Sequence, residues 1–192
     1  MLTVATLLRS GGEFQPEHVN RLRKQCKKAM PPHRFVCLSD VAVPCERIPL
    51  VHDWMRWWGQ CELFRPGLFD GPVLYMDLDT TVLRDPGIVA KRREFWALYY
   101  PSRGKPAPTS GVMAWNGDFS VIYEKAKVLD KRFNRWVNEG IFPHVKAQEI
   151  QAKFPGFYSF KRDIAGKPMP ADTRVVYWHG HPRPWDIKEL KL

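Results

Sequence analysis

Two short apolar runs separated by one amphipathic helix open the chain, and that alternation most constrains the fold. Leu2 to Leu8 (LTVATLL) ends at Arg9, Ser10, Gly11 and Gly12, which predicts a buried strand emptying into a loop. Pro16 suits a first helical position and Glu17 its dipole. Val19, Leu22, Cys26 and Ala29 then recur at helical spacing until Pro31 and Pro32 stop the pattern. The other face of that helix is cationic, with Arg21, Arg23, Lys24, Lys27 and Lys28, and reads as a solvated face. Arg34 to Leu38 returns to a strand, closed by Ser39 and Asp40, and Arg47 to Leu50 is a weaker third. Strand, helix, strand in that order calls for an α/β sheet.

Further along, His52 to Phe69 combines a tryptophan-rich turn (Trp54, Trp57, Trp58) with a helix through Cys61 to Phe64, closed by Pro66 and Gly67. The three tryptophans suit either packing against the sheet or stacking on sugar faces. Pro72 to Leu78 (PVLYMDL) is the most strand-like segment of the chain. Phe95 to Tyr100 predicts another strand, Pro101 to Pro108 a loop, and Gly111 to Trp115 a strand. Asp118 caps a helix expected to reach about Val137. A short helix near Gln148 to Lys153 and strands at Phe157 to Phe160 and Arg174 to Trp178 complete the expectation. No internal repeat marks a second domain, so residues 1–192 are expected to form one.

Composition limits the partners. Thirty Lys and Arg against 20 Asp and Glu leave a net charge of +10, which favours an acidic partner without choosing among nucleotide phosphate, nucleic acid and anionic lipid. No apolar run approaches the ~20 residues that span a bilayer. Met1 to Gly12 lacks the pattern of a signal peptide. Cys26, Cys37, Cys45 and Cys61 match neither zinc-ligand spacing nor a dense disulfide framework, so a reduced, cytoplasmic setting is expected. The cationic helix would suit peripheral contact with an anionic membrane face.

Asp77-Leu78-Asp79 carries the chemistry. On a strand, residues two apart share a face roughly 7 Å apart, so both carboxylates would point one way and Leu78 back to the core. Carboxylates at a sheet mouth repel, and a bound divalent ion reverses that penalty and can hold a diphosphate. The alternative is a solvated turn. The second unusual stretch is Val176 to Trp185 (VYWHGHPRPW), just beyond a strand. A histidine there could join the same metal, and mixed oxygen and nitrogen ligation suits Mn²⁺ better than Mg²⁺. Arg183 could reach leaving phosphates as a fixed donor fork. Two histidines among prolines also suit an ordinary surface turn.

Taken together, Gly71 to Pro86 (GPVLYMDLDTTVLRDP), Ser110 to Asn116 (SGVMAWN), Gln148-Glu149-Ile150 and HGHPRPW resemble the GT-A glycosyltransferases of the glycogenin-like and lipopolysaccharide galactosyltransferase type. The resemblance implies a single-domain, Rossmann-like mixed sheet flanked by helices. Nucleotide-sugar binding would occupy roughly 1–118, and the acceptor side with a C-terminal metal and phosphate loop roughly 119–192. It implies Asp77, Asp79 and His179 on a Mn²⁺ or Mg²⁺ ion, and Ala5, Thr6, Leu78, Ser110, Gly180 and Arg183 around the nucleotide sugar. Gln148 would lie beside the sugar. A basic residue of the family's helix before the metal strand is Gln60 here, with Arg65 the nearest substitute. The implied reaction moves a hexose from a nucleoside-diphosphate sugar, a UDP-sugar by preference, to a hydroxyl of a saccharide, lipid-linked or protein acceptor, with retention.

Two other classes compete. Met76 to Val82 also resembles the haloacid-dehalogenase phosphatases, with Asp77 as nucleophile, but that strand should open the fold and here some 76 residues precede it. A basic nucleic-acid binder is the third. Its Lys and Arg would need one aromatic sheet face, and here they are spread along the chain, so no nucleic acid is expected.

Overall fold

The computed structural model of the chain describes residues 1–102, 105–129 and 138–187. The opening pattern folds as strand β1 (Thr3–Leu8), helix α1 (Pro16–Ala29), and strands β2 (Arg34–Ser39) and β3 (Glu46–Pro49). A 3₁₀ segment, Arg56–Phe64, stands where a helix was expected, and leads to β4 (Val73–Met76) and the two-residue β5 (Thr81–Val82). Then come β6 (Phe95–Ser102), β7 (Lys105–Trp115), α2 (Val121–Val128), α3 (Asn138–Ile141), β8 (Ala147–Glu149), α4 (Ile150–Lys153), β9 (Phe157–Ser159) and β10 (Val175–Tyr177).

Seven strands form one mixed sheet in the order β3-β2-β1-β4-β7-β6-β8. β1 runs parallel to both β2 and β4, whereas β7 is antiparallel to β4 and β6. Strands β5, β10 and β9 make a smaller sheet of three. Both faces of the large sheet are covered, which is why its central strands read as unbroken apolar runs. On one face Val19, Leu22 and Cys26 of α1 pack with Val4, Leu8, Leu74 and Met76. On the other, Trp54, Trp58 and Phe64 pack with Tyr75, Phe95, Met113, Trp115 and Ile122 of α2.

Three expectations are corrected. Pro101 to Pro108 is no free loop: Tyr100 pairs with Ala107 and Pro101 with Pro106, so β6 and β7 extend as a two-stranded arm. Each strand of that arm has a partner on one side only, so an outward-facing position loses nothing when proline removes its N–H. Gln148 lies in β8 opposite Trp96 and not on a helix, which starts at Ile150. α2 has Ser120 as N-cap, and Asp118 instead accepts a hydrogen bond from the Ser120 N–H at 2.8 Å. The expected end of that helix near Val137 lies outside the described residues. The cationic face of α1 is exposed at Arg23, Lys24, Lys27 and Lys28, but Arg21 turns inward. No helix among the described residues is long and apolar enough to cross a membrane. None of the four cysteines forms a disulfide among the described residues.

Candidate active site

β4 ends at Met76, so Asp77-Leu78-Asp79 forms a turn at its C-terminal end and not a continuation of the strand. The turn is tied down from several sides. Asp77 N–H donates to the Gly111 carbonyl at 2.9 Å, and Thr80 N–H donates back to the Asp77 carbonyl at 2.9 Å. From α1 the Arg21 guanidinium donates to the carbonyls of Leu78, at 2.7 Å, and Thr80, at 2.8 Å. Gln25 of the same helix accepts from the Val82 N–H at 3.1 Å. Leu78 is buried in the core beside Leu8 and Met76, as expected, although it sits in a turn and not on the expected strand.

Asp77 looks into a cavity of about 520 Å³ lined by Leu7, Arg9 to Phe14, Asp53, Met55, Trp57, Gln60, Tyr75, Asp77, Leu78 and Arg183, whereas Asp79 is buried behind it against Arg183. Asp77 is held on one oxygen: its Oδ1 accepts from Tyr75 Oη at 2.6 Å and from Gln60 Nε2 at 2.9 Å. Gln60 Nε2 also reaches Tyr75 Oη at 2.9 Å, while its Oε1 is buried without a partner. Burial, and then the neighbouring Asp79, push the Asp77 carboxyl above the usual carboxylate range, against the pull of Tyr75, Gln60 and Arg183. Burial raises Asp79 too, opposed chiefly by Arg183. Two acids desolvated together in this way are poorly served without a nearby cation.

That cation comes from the C-terminal strap. Past β10, Trp178 stacks on Phe160 with centroids 4.0 Å apart, and Gly180 takes φ +63°, a left-handed turn that glycine adopts without strain. Arg183 then donates to both Asp79 and Glu13, and its guanidinium lies 5.2 Å from the Phe14 ring. Arg183 Nε is buried and has no partner. Trp185 anchors the strap on α1, stacked on His18 at 3.9 Å with the Arg21 guanidinium 5.6 Å from its ring. Asp186 closes the turn by accepting from the Arg183 N–H at 2.7 Å.

His179 packs on Tyr100, with ring centroids 4.2 Å apart, and edge-on against Tyr177 at 5.2 Å. Burial first, then Lys161 and Arg162, lower its pKa to about 4, so the ring is neutral at pH 7. Its Nε2 is buried without a hydrogen-bond partner. A neutral imidazole with an unused nitrogen and a pair of desolvated carboxylates are the donor set a divalent ion takes. The three do not stand together, however: among the described residues no group of three His, Cys, Asp or Glu side chains could hold one metal. Arg183 lies against Asp79 in that arrangement.

Of the remaining expected residues, Ala5 and Thr6 are fully buried, and Thr6 Oγ1 donates to the Met76 carbonyl at 2.8 Å. The cavity is lined instead by Leu7, near the end of β1, and by Arg9 to Phe14 beyond it. Ser110 is buried and its N–H donates to Asn138 at 3.2 Å. Gln148 is on β8, three strands from β4, and does not line the cavity. Arg65 pairs with buried Glu62 at 3.6 Å and does not line it either. The tryptophans divide: Trp54 and Trp58 are core, whereas Trp57 is 43% exposed at the cavity. Sequence reasoning missed Arg9, which pairs with Asp53, and Glu13, Phe14 and Tyr75. Tyr75 carried a signal, since it sits two residues before Asp77 on the same face.

No protein-family model matches the chain, and no curated protein matches it. Solved structures do. The glycosyltransferase GlyE of Streptococcus pneumoniae TIGR4 aligns over 96% of this chain and 57% of its own, with a TM-score of 0.69 at 10% identity. The galactosyltransferase LgtC, in complex with donor and acceptor sugar analogs, aligns over 95% of this chain and 89% of its own, with a TM-score of 0.61 at 12% identity. An active-site mutant of LgtC gives a TM-score of 0.59 at 13% identity, covering 99% of this chain and 91% of that one. The chain therefore spans little more than half the length of GlyE. At these identities the likeness is one of fold, and the fold is the GT-A arrangement that the motifs resemble.

Proposed function

We propose that the chain transfers a hexosyl group from a nucleoside-diphosphate sugar to a hydroxyl acceptor. One observation carries the reading: Asp77 and a strap arginine paired with buried Asp79 converge on one cavity at the end of β4, in a sheet with the fold of known glycosyltransferases. A UDP-sugar donor, a saccharide, lipid-linked or protein acceptor, and retention at the anomeric carbon are the finer forms of the proposal.

Asp77 and Asp79 would hold a divalent cation, Mn²⁺ or Mg²⁺; His179, the nitrogen ligand that the resemblance implies, does not stand with them in this arrangement. Such an ion would supply positive charge to the departing diphosphate. The chain's own contribution is electrostatic and positional. Arg183 would exchange Asp79 and Glu13 for phosphate oxygens, presenting a planar fork with an unused Nε. Gln60, through its unpartnered Oε1, can accept a hydrogen bond from the nucleotide, while its amide nitrogen steadies Asp77. Trp57 and Phe14 offer flat apolar walls for a base or a sugar face. The protein would also keep water from the anomeric carbon, since the Leu7 to Phe14 segment and the strap enclose the cavity from two sides.

The phosphatase reading is disfavoured by the surroundings of Asp77. Its Oδ1 is engaged by Tyr75 and Gln60, which hold the carboxylate as a fixed acceptor and not as an open nucleophile. Thermal-shift binding of a nucleotide-sugar panel, with and without Mn²⁺, tests the proposal. Stabilisation by at least one nucleotide sugar, dependent on the metal and lost in Asp79→Asn, is expected. Hydrolysis of a chromogenic phosphate ester without nucleotide-sugar binding would replace it with the phosphatase. Gln148→Ala separates two assignments of the sugar side: lower turnover at unchanged nucleotide affinity gives Gln148 that role, and unchanged turnover gives it to the cavity lining.

A further inference from the structure

A second cavity of about 390 Å³ opens at the β8 edge of the large sheet, among Tyr99, Glu149, Gln151, Tyr158, Arg162 and Tyr177, and shares no lining residue with the first. We propose that it binds a neutral pyranose. On the reading of glycosyl transfer given above, that sugar is a unit of the acceptor.

The argument begins with which polar groups are already engaged. Gln151 has its whole amide committed, accepting from the Tyr99 N–H at 3.0 Å and donating to the Tyr99 carbonyl at 2.8 Å and Tyr177 Oη at 3.0 Å. Tyr99 Oη donates to the Ala147 carbonyl at 3.0 Å, and Tyr158 Oη to Asp172 at 2.9 Å. Asp163 accepts from the Ser159 N–H at 2.8 Å. The Glu149 side chain, by contrast, has no hydrogen-bond or ion-pair partner among the described residues, although it lines the cavity and is only partly exposed. Arg162, raised by the π-helical turn Phe160–Ile164, meets Asp163 only at 3.9 Å and lies 5.7 Å from the Tyr100 ring. A carboxylate without a side-chain partner and a guanidinium held by one long ion pair and a ring contact therefore line a space walled by tyrosine and phenylalanine rings.

That combination selects the ligand class. Sugar hydroxyls donate to a carboxylate and accept from a guanidinium, and the C–H face of a pyranose lies against aromatic rings. Two carboxylates, Glu149 and Asp163, against one arginine disfavour a phosphate or carboxylate ligand. A purely apolar ligand would leave Glu149 covered and unpaired. Position agrees as well. Tyr177 lines this cavity and also touches His179, whose other neighbour is Tyr100, so one layer of rings lies between the subsite and the strap.

Saturation-transfer NMR on the full chain tests this, with methyl β-galactopyranoside, methyl α-glucopyranoside, lactose and maltose as probes and UDP with Mn²⁺ held in excess. At least one probe should bind in the presence of UDP, and Glu149→Ala should weaken it by at least tenfold, the scale of losing one hydrogen bond to a charged group. Glu149 has no partner to lose, so the variant should fold as wild type. Arg162→Ala should also weaken binding. The inference is overturned if no probe binds, if UDP displaces the probe, if Glu149→Ala binds as wild type, or if tetramethylammonium or glucose 6-phosphate is preferred to the neutral sugars. Failure of the function reading looks different: nucleotide sugars would then neither bind nor turn over, whereas the Glu149-dependent signal would persist.

Discussion

Arg21→Met should weaken the turn that carries both acidic residues, and the size of the loss follows from its contacts. The Arg21 guanidinium donates to two carbonyls of that turn at 2.7 and 2.8 Å. Hydrogen bonds from a charged donor contribute about 1.5–3 kcal/mol each, so about 3–6 kcal/mol is lost before any offset. The offset is the cost of burying the charge. Burial lowers the Arg21 pKa to about 10 from an ordinary value near 12.5, which corresponds to about 3 kcal/mol against the charged form. The variant recovers that cost, which leaves a net destabilisation of about 0–3 kcal/mol, and two buried carbonyls without a donor place the loss toward the upper end, about 2–3 kcal/mol. For a domain of this size that lowers Tm by roughly 4–12 °C. Arg21→Lys should recover less than half, because a compact ammonium does not reproduce a planar fork. Differential scanning calorimetry at pH 7 measures both, with Lys24→Met on the exposed face of the same helix as the control, expected within about 0.5 kcal/mol of wild type. If Arg21→Met behaves like the control, α1 does not hold the turn and the assignment of Arg21 is wrong.

Other outcomes follow from the same structure. Arg183→Ala should lower glycosyl turnover by roughly a hundredfold with a smaller loss of donor affinity, read by steady-state kinetics against a fold check by circular dichroism. Gly156→Ala should cost several-fold more stability than Gly117→Ala in chemical denaturation. Both glycines have positive φ, +92° and +135°, but a Cβ at Gly156 would meet the Asp172 carbonyl oxygen at 2.5 Å and one at Gly117 would meet nothing. Burial raises the thiols of Cys26, to about 12, and Cys45, to about 11, so at pH 8 a thiol reagent should label native protein at Cys45 first and at all four cysteines only after unfolding. Because these folded pKa values lie above the unfolded ~8.5, the thiols' contribution to stability is intact below that pH. It is lost as pH rises toward 11–12, and denaturation midpoints between pH 7 and 10 measure the decline.

What the sequence made legible was local. The helical spacing of Val19, Leu22 and Cys26 puts those residues on the sheet, and the apolar run before Asp77 becomes a strand buried on both faces. Leu78 turns to the core even though the backbone around it is a turn, because burial of its side chain does not require an extended chain. The pairing of Tyr100 to Ser102 with Lys105 to Ala107 was illegible because proline counts against a strand unless the strand has a free edge, and edges are settled by topology. Trp57 and Trp58 differ for a similar reason: adjacent residues in a 3₁₀ segment face different ways, and only the packing of α2 and β7 selects the buried one. The contacts of Gln60 with Asp77 and of Glu13 with Arg183 join residues 17 and 170 positions apart, and no local pattern announces such pairs. Arg21, read as one charge of a solvated face, is the clearest case. Its neighbours on the helix are exposed, and the turn it holds lies 57 residues away.

The central claim is tested most directly by measuring nucleoside diphosphate released from a panel of nucleotide sugars, with Mn²⁺ and with chelator, by wild type and by Asp79→Asn. Release from at least one nucleotide sugar, abolished by chelator and reduced at least a hundredfold in Asp79→Asn, is the predicted result. The account is contradicted if no nucleotide sugar is cleaved under any acceptor tried, or if cleavage is the same in Asp79→Asn as in wild type.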